Sequence, residues 1–300
     1  MPFFKKLSYF LEYLTIRLLA FLLNLLPFSV LMRLARPMGA ALFYLLGRSR
    51  RRALKHLKLA YPDEKSDREI RAIAKESFVR LAEFGTGWLR MSRIAQNPGR
   101  YLAIHGVEKI HRAFREKKKG AILLVSHVGN WEVMALIAGT LIARPVGASI
   151  YAVARPLKNE WLYRYVLRMR GLTGLKSIEK VGGMQETLSR LRENGIVSIL
   201  IDQRIREGSI PSKFFGREAL TTCLPALAAR RLGTPVFHIF INQRPDLRYC
   251  MEVEGPVPLE TSGDLRHDLE INTQRFNDRI EQEIRKDPSH WLWMHNRWRD

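Results

Sequence analysis

Apolar positions divide this chain into two unlike parts. Residues 18–32 run for 15 positions without a charge, bounded by Arg17 and Arg33. A membrane-spanning helix needs about 20 apolar residues. Extending the run back to Leu7 reaches that length but takes in Glu12 and Arg17, and Pro27 interrupts it. No small-residue cleavage site follows, as one would after a signal peptide. Residues 7–46 therefore predict an anchor of one or two helices that spans once or lies in the interface. Residues 1–50 are read as this anchor with its basic flank, and residues 51–300 as the folded domain.

Beyond the anchor, the spacing becomes helical and then alternates. Ile70, Ile73, Ala74, Phe78, Leu81 and Ala82 recur at helical intervals over residues 66–95, with Ser66 or Asp67 available as a cap. Asn97-Pro98-Gly99 breaks that segment. From about residue 100, short apolar runs at 121–126, 146–154, 195–201, 235–241 and 249–253 read as strands. Helical stretches at 132–141, 160–169, 184–193 and 220–232 separate them, and a last helix covers 269–286. Continuous apolar strands between helices predict an α/β fold, with a mostly parallel central sheet covered on both faces.

Charge sharpens the reading of the first part. The formal net charge is +21, and residues 1–60 hold 11 Lys or Arg against one acid, Glu12, so +10 of it lies in the most hydrophobic fifth. Positive charge beside apolar segments points to an anionic membrane rather than to nucleic acid. The cluster Arg48, Arg50, Arg51 and Arg52 is either a solvated charge run or a headgroup contact. Two cysteines, Cys223 and Cys250, match no metal spacing and suggest no disulfide framework, so a reducing compartment is expected.

Candidate chemistry lies where apolar runs end. One ends in Ser126-His127-Val128-Gly129-Asn130-Trp131-Glu132, another in Ala154-Arg155-Pro156, a third in Asp202-Gln203-Arg204. Ligands of α/β sheets bind beyond the carboxyl ends of the strands. If these strands are parallel neighbours, His127, Glu132, Arg155, Asp202 and Gln203 face one crevice. Gly129 allows a turn, Asn130 can cap a helix, and Glu132 then sits in its first turn, where the dipole favours a carboxylate. Such a turn can fold Glu132 back onto the imidazole, leaving the other ring nitrogen to accept a proton from a hydroxyl. Spacing alone also allows a histidine that merely finishes a strand and a glutamate that merely opens a helix.

The segment from His127 to Glu132 resembles the H-x4-[DE] signature of glycerolipid and lipid A acyltransferases. The similarity continues through Arg155-Pro156, Asp202-Gln203, Phe214-Phe215-Gly216 with Thr221-Thr222, and a tail of Trp291-Leu292-Trp293 and His295-Asn296-Arg297-Trp298. Taken in this order, these features resemble the bacterial late acyltransferases of lipid A biosynthesis over nearly the whole chain. The resemblance implies a glycerolipid-acyltransferase-like fold, an acyl carrier protein thioester as donor, and a lipid A precursor hydroxyl as acceptor at the cytoplasmic face of the inner membrane. A thioester is already activated, so no cofactor or metal is expected. His127 with Glu132 would supply the base, Arg155 or nearby backbone N–H groups would meet the oxyanion, and Asp202 and Gln203 would touch substrate or hold the loop.

Other readings have less support. Ser126 lacks the Gly-x-Ser-x-Gly setting of a nucleophile. Cys223 reads as core. His105, His111, His290 and His295 are too sparse for zinc. Gly182-Gly183 lacks the Lys and Ser/Thr of a phosphate loop, and Lys117-Lys118-Lys119 reads as a solvated turn. The tail tryptophans read as packing, with His295 and Arg297 as alternative site walls. The competing functions are the same chemistry on a mannosylated phosphoinositide or a lysophospholipid, or a membrane-tethered nucleic-acid-binding protein without catalysis.

Overall fold

The computed structural model describes residues 3–117, 119–179, 183–205, 208–244, 246 and 248–298. Lys118 and Gly182 lie outside the described residues. Four helices open the chain: α1 (Phe3–Leu25), α2 (Phe28–Leu45), α3 (Gly47–Ala60) and α4 (Asp67–Leu89). Short helices α5 (Met91–Gln96) and α6 (Pro98–Tyr101) lead into an alternating region. There β1 (Leu102–His105), α7 (Val107–Lys117), β2 (Ala121–Val125), α8 (Trp131–Ala138), β3 (Ile150–Ala154) and α9 (Glu160–Gly171) follow in turn. Next come β4 (Leu175–Glu179), α10 (Gly183–Arg192), β5 (Ile196–Leu200), and the hairpin β6 (Ser209–Phe214) and β7 (Arg217–Thr222). The chain closes with α11 (Leu224–Leu232), β8 (Val236–Gln243), β9 (Tyr249–Glu254) and α12 (Leu265–Lys286).

Seven strands form one sheet in the order β1-β9-β8-β2-β5-β3-β4. Strands β8, β2, β5, β3 and β4 run parallel; β9 is antiparallel to β8 and parallel to β1. Alternate side chains of β2 feed opposite layers: Ile122 and Leu124 join one buried cluster, Ala121, Leu123 and Val125 the other. This is the mostly parallel, doubly covered sheet expected from the pattern. Four strands escaped the pattern: β1 and β4 in this sheet, and β6 and β7 in the separate hairpin. β1 has four residues, and β4 (Leu-Lys-Ser-Ile-Glu) is an edge strand with three of its five positions polar. The helix expected over 220–232 starts at Leu224, because residues up to Thr222 pair with β6. The strand expected from Val146 starts at Ile150, after a 3₁₀ turn and a left-handed Gly147.

The apolar N-terminus forms two helices with different surroundings. α2 packs along α4 and buries Leu31, Met32, Ala35 and Phe43. A Cβ on Gly39 would lie 2.5 Å from the Val79 Cα, so only glycine permits that approach. Arg50 caps the end of α2 by donating to the carbonyls of Phe43 and Tyr44. Opposite α2, α4 begins with a capping box between Ser66 and Glu69. α1, in contrast, exposes Leu7, Leu11, Leu14, Leu18, Phe21 and Leu25. Among the described residues its segment Phe4–Leu25 is the one helix that by length and composition could cross a membrane unaided. It is tied to the body through the N-cap of α9, where Asn159 donates to the Tyr9 carbonyl and Glu12.

Candidate active site

The catalytic candidates come together through strand register. Val125 of β2 lies opposite Leu200 of β5 in a parallel pair. Two residues beyond each lie His127 and Asp202, so equal advance along neighbouring strands delivers both to one end of the sheet. Asp202 is fully buried and accepts three hydrogen bonds: from the His127 backbone N–H (2.7 Å), from His127 Nδ1–H (2.9 Å) and from Trp291 Nε1–H (2.8 Å). A carboxylate only accepts, so the proton sits on Nδ1 and Nε2 carries the lone pair. The Gln203 amide donates to that lone pair at 2.9 Å. Burial alone would push the Asp202 carboxyl up. The adjoining imidazole and the hydrogen bonds from His127 and Trp291 outweigh burial and hold it at about 2.

Glu132 does not make the contact expected of it. Gly129 turns the chain with φ of 64°, where a Cβ would fall 1.7 Å from the Ile241 carbonyl oxygen. Asn130 caps α8 through Val133 N–H, so the turn and cap form as the residue types suggest. The helix then points Glu132 to α9, where Arg170 holds it bidentately at 2.7 and 3.2 Å. The partner on His127 Nδ1 is therefore Asp202, which corrects the pairing inferred from local spacing. Local spacing cannot register a residue 75 positions away, and an arginine in the last turn of α9 offers Glu132 a stronger partner than a neutral imidazole does.

His127, Glu132, Arg155, Arg170, Gln203 and Arg204 line one cavity of about 690 Å³. Arg155 is exposed at the rim. Inside, the walls are apolar. Leu123, Ser198 and Ala152 form a cross-strand row on the sheet, facing Met134, Ala135 and Ala138 of α8. Small side chains at Ala135, Ala138, Ala152 and Ser198 make the space. The next row, Ala121, Ile196 and Ile150, is fully buried and does not line it. The arrangement joins a hydroxyl-accepting imidazole to a largely apolar slot with arginines in its lining.

The remaining candidates lie elsewhere. Ser126 is buried beside His127 but does not line the cavity. Cys223 precedes α11 rather than sitting within it, and burial raises its thiol. Among the described residues no three His, Cys, Asp or Glu converge to hold a metal. Arg297 is buried, donates to the Leu220 carbonyl and Thr221 Oγ1, and holds the β6–β7 hairpin rather than the cavity wall. For Trp291 the sequence offers packing or ligand stacking, and nothing local marks its contact with Asp202.

Comparisons with known proteins show the family of the chain. The sequence model described as bacterial lipid A biosynthesis acyltransferase matches residues 1–300. A phosphatidylinositol mannoside acyltransferase of Mycobacterium tuberculosis (strain ATCC 25618 / H37Rv) is 27% identical over 230 residues, covering 73% of this chain and 68% of that protein. A lipid A biosynthesis palmitoleoyltransferase of Escherichia coli (strain K12) is 24% identical over 286 residues, covering 91% and 86%.

Proposed function

The chain belongs to the bacterial lipid A biosynthesis acyltransferase family, and we propose that it moves a fatty acyl chain from an acyl carrier protein thioester to a hydroxyl of a lipid A precursor. The carrying observation is the slot between α8 and the sheet, which opens beside His127 Nε2 and is apolar along its depth. A fatty chain fits such walls, and its burial favours binding at roughly 0.8 kcal/mol per methylene. The slot ends short of the buried row of Ile150 and Ile196, so an acyl chain filling it would carry its thioester carbonyl near the polar mouth.

The mechanism follows from the hydrogen bonds. The acceptor hydroxyl takes the place of the Gln203 amide at Nε2 and gives its proton to His127 as the oxygen attacks the thioester carbonyl. Asp202 holds the tautomer and stabilises the imidazolium that forms. Arg155 lies at the rim, where it can meet the oxyanion or an anionic part of either substrate. Collapse of the tetrahedral intermediate expels the thiolate, which takes the proton from His127. Glu132 acts in this reading by fixing Arg170 in the cavity wall.

The net charge of +21 suits an acidic carrier. The exposed apolar face of α1 and the basic first fifth of the chain suit attachment to an anionic membrane, which we propose is the inner membrane at its cytoplasmic face. The mycobacterial relative's name supports a second acceptor, a mannosylated phosphoinositide.

The test is transfer by purified enzyme from acyl carrier protein carrying chains of graded length, and from short acyl thioesters, to each acceptor, at low and high salt. We expect an ester of the lipid A precursor in the mass spectrum, and a salt-dependent apparent KM for the carrier protein only. Absence of ester from every donor and acceptor would refute the chemistry. Equal salt responses would refute the carrier.

A further inference from the structure

The C-terminal tail reaches the catalytic loop at three points. Trp291 forms an isolated antiparallel bridge with Val128, the neighbour of His127. The Gly129 N–H donates to the His290 carbonyl at 3.1 Å. Trp291 Nε1–H donates to Asp202 Oδ2, the oxygen that also accepts the His127 backbone N–H. Packing alone would need none of these hydrogen bonds. Trp291 is 2% exposed and lies against Phe214, Trp293 and Trp298, with ring centroids 5.5, 4.7 and 6.2 Å away. That aromatic block is further braced from α3, where Arg52 donates to the Met294 carbonyl and His56 Nδ1 lies 3.0 Å from the Trp293 carbonyl. The indole N–H is thus set on a rigid mount and aimed at the carboxylate.

We propose that Trp291 is a positioning residue for the general base, and that the tail is a strap completing the His127–Asp202 pair from outside the sheet. This rests on His127 acting as the base. Without Trp291 the carboxylate would keep the His127 backbone N–H and Nδ1–H as donors but be less firmly oriented toward the imidazole. Its Oδ2 would also keep one donor instead of two. The indole therefore fixes geometry and tempers charge. Each donated hydrogen bond draws negative charge from Asp202 and weakens its hold on the imidazolium. Removing one raises the proton affinity of the pair as a unit.

The charged and titratable groups around the imidazole come from several elements. Glu132 of α8 is paired with Arg170 of α9. Arg155 follows β3, Arg204 follows β5, and both line the same cavity. His295 and Arg297 of the tail act on the pair through space. Burial holds His295 at about 4, against the pull of Asp202, so it stays neutral across the working range of a histidine base. None of these groups is changed by removing the indole N–H.

The test compares Trp291→Phe with Trp293→Phe in the full-length enzyme. Both tryptophans are buried in the same aromatic block, but the Trp293 N–H goes to the Pro288 carbonyl. The readout is kcat/KM against pH. Trp291→Phe should lower kcat about 10- to 100-fold, as expected for losing a hydrogen bond to a charged group. Its acid limb should move upward by roughly half to one pH unit, and the KM for the acyl donor should change little. Trp293→Phe should leave the limb where it is in wild type. An unmoved limb in Trp291→Phe, or the same shift in both variants, would overturn the proposal. If Trp291→Phe fails to fold, the benzothiophene isostere at position 291, with sulfur in place of N–H, makes the same comparison. A His127→Ala enzyme with wild-type turnover would instead sink the underlying base assignment.

Discussion

His127 and Glu132 stand five residues apart on one turn, and the fold treats the two ends of that turn differently. His127 is tied across the sheet to a carboxylate with 0% side-chain exposure, which indole and backbone donors also hold. Glu132 is tied to the neighbouring helix by an arginine, with 23% of its side chain exposed at the cavity wall. Both have an ionic partner, and His127 and Arg170 are each 14% exposed, but only the first pair has a carboxylate wholly out of water. Electrostatic interactions are strong where water is excluded and weak where it is not. The first pair can therefore set a tautomer and a proton affinity. The second can orient a guanidinium, and solvent screens much of its energy.

The largest effects should come from the dry end. His127→Ala should lower kcat/KM by about 10²–10⁴-fold, the usual worth of a general base. Asp202→Asn should fall in the same range, because the amide removes the charge and frees the tautomer. The double variant should be little worse than either alone, since the two act as one unit. Multiplicative losses in steady-state kinetics would break the pairing.

A smaller effect concerns acid stability. The Asp202 carboxyl drops from an ordinary 3.8 to about 2 in the folded chain, so the folded state binds its proton less readily than the unfolded state. The stability it contributes is present above about pH 4 and is lost as pH falls toward 2, to the order of 2 kcal/mol. Chemical unfolding of wild type and Asp202→Asn should therefore give a gap that narrows over that window. A constant gap would show that the carboxylate is not specially stabilised.

The smallest effect should come from the wetter end. A double-variant cycle on Glu132→Ala and Arg170→Ala should give a coupling of about 1 kcal/mol in activity or stability. Glu132→Ala and His127→Ala should show no comparable coupling in unfolding free energy. If Glu132 couples to His127 more strongly than to Arg170, the contrast between the two ends fails.

Much of this was legible from one residue type at a time. Gly129 had to turn, Asn130 had to cap, and each did so. Strand ends bearing His127, Arg155 and Gln203 had to meet if the strands were parallel neighbours, and all three line the cavity. These are local rules joined to one sheet rule, and both act through backbone geometry that residue types encode.

Partner choice was not legible. Glu132 lay nearest His127 in the chain, yet Asp202 took the imidazole, because β2 and β5 pair in register and deliver both residues to the same height. Trp291 carried no local sign of its role, since an indole aimed at a carboxylate looks in sequence like any core tryptophan. The same limit separated α1 from α2. Both are apolar helices, but only α2 has the glycine that lets it approach α4 and become core. The sequence by itself determined the continuous apolar strands, the turn at Gly129 and the apolar helices, because backbone preference and hydrophobic spacing are short-range. Only the tertiary structure decided which side chain faces which, because that depends on register and packing between segments the chain brings together from far apart.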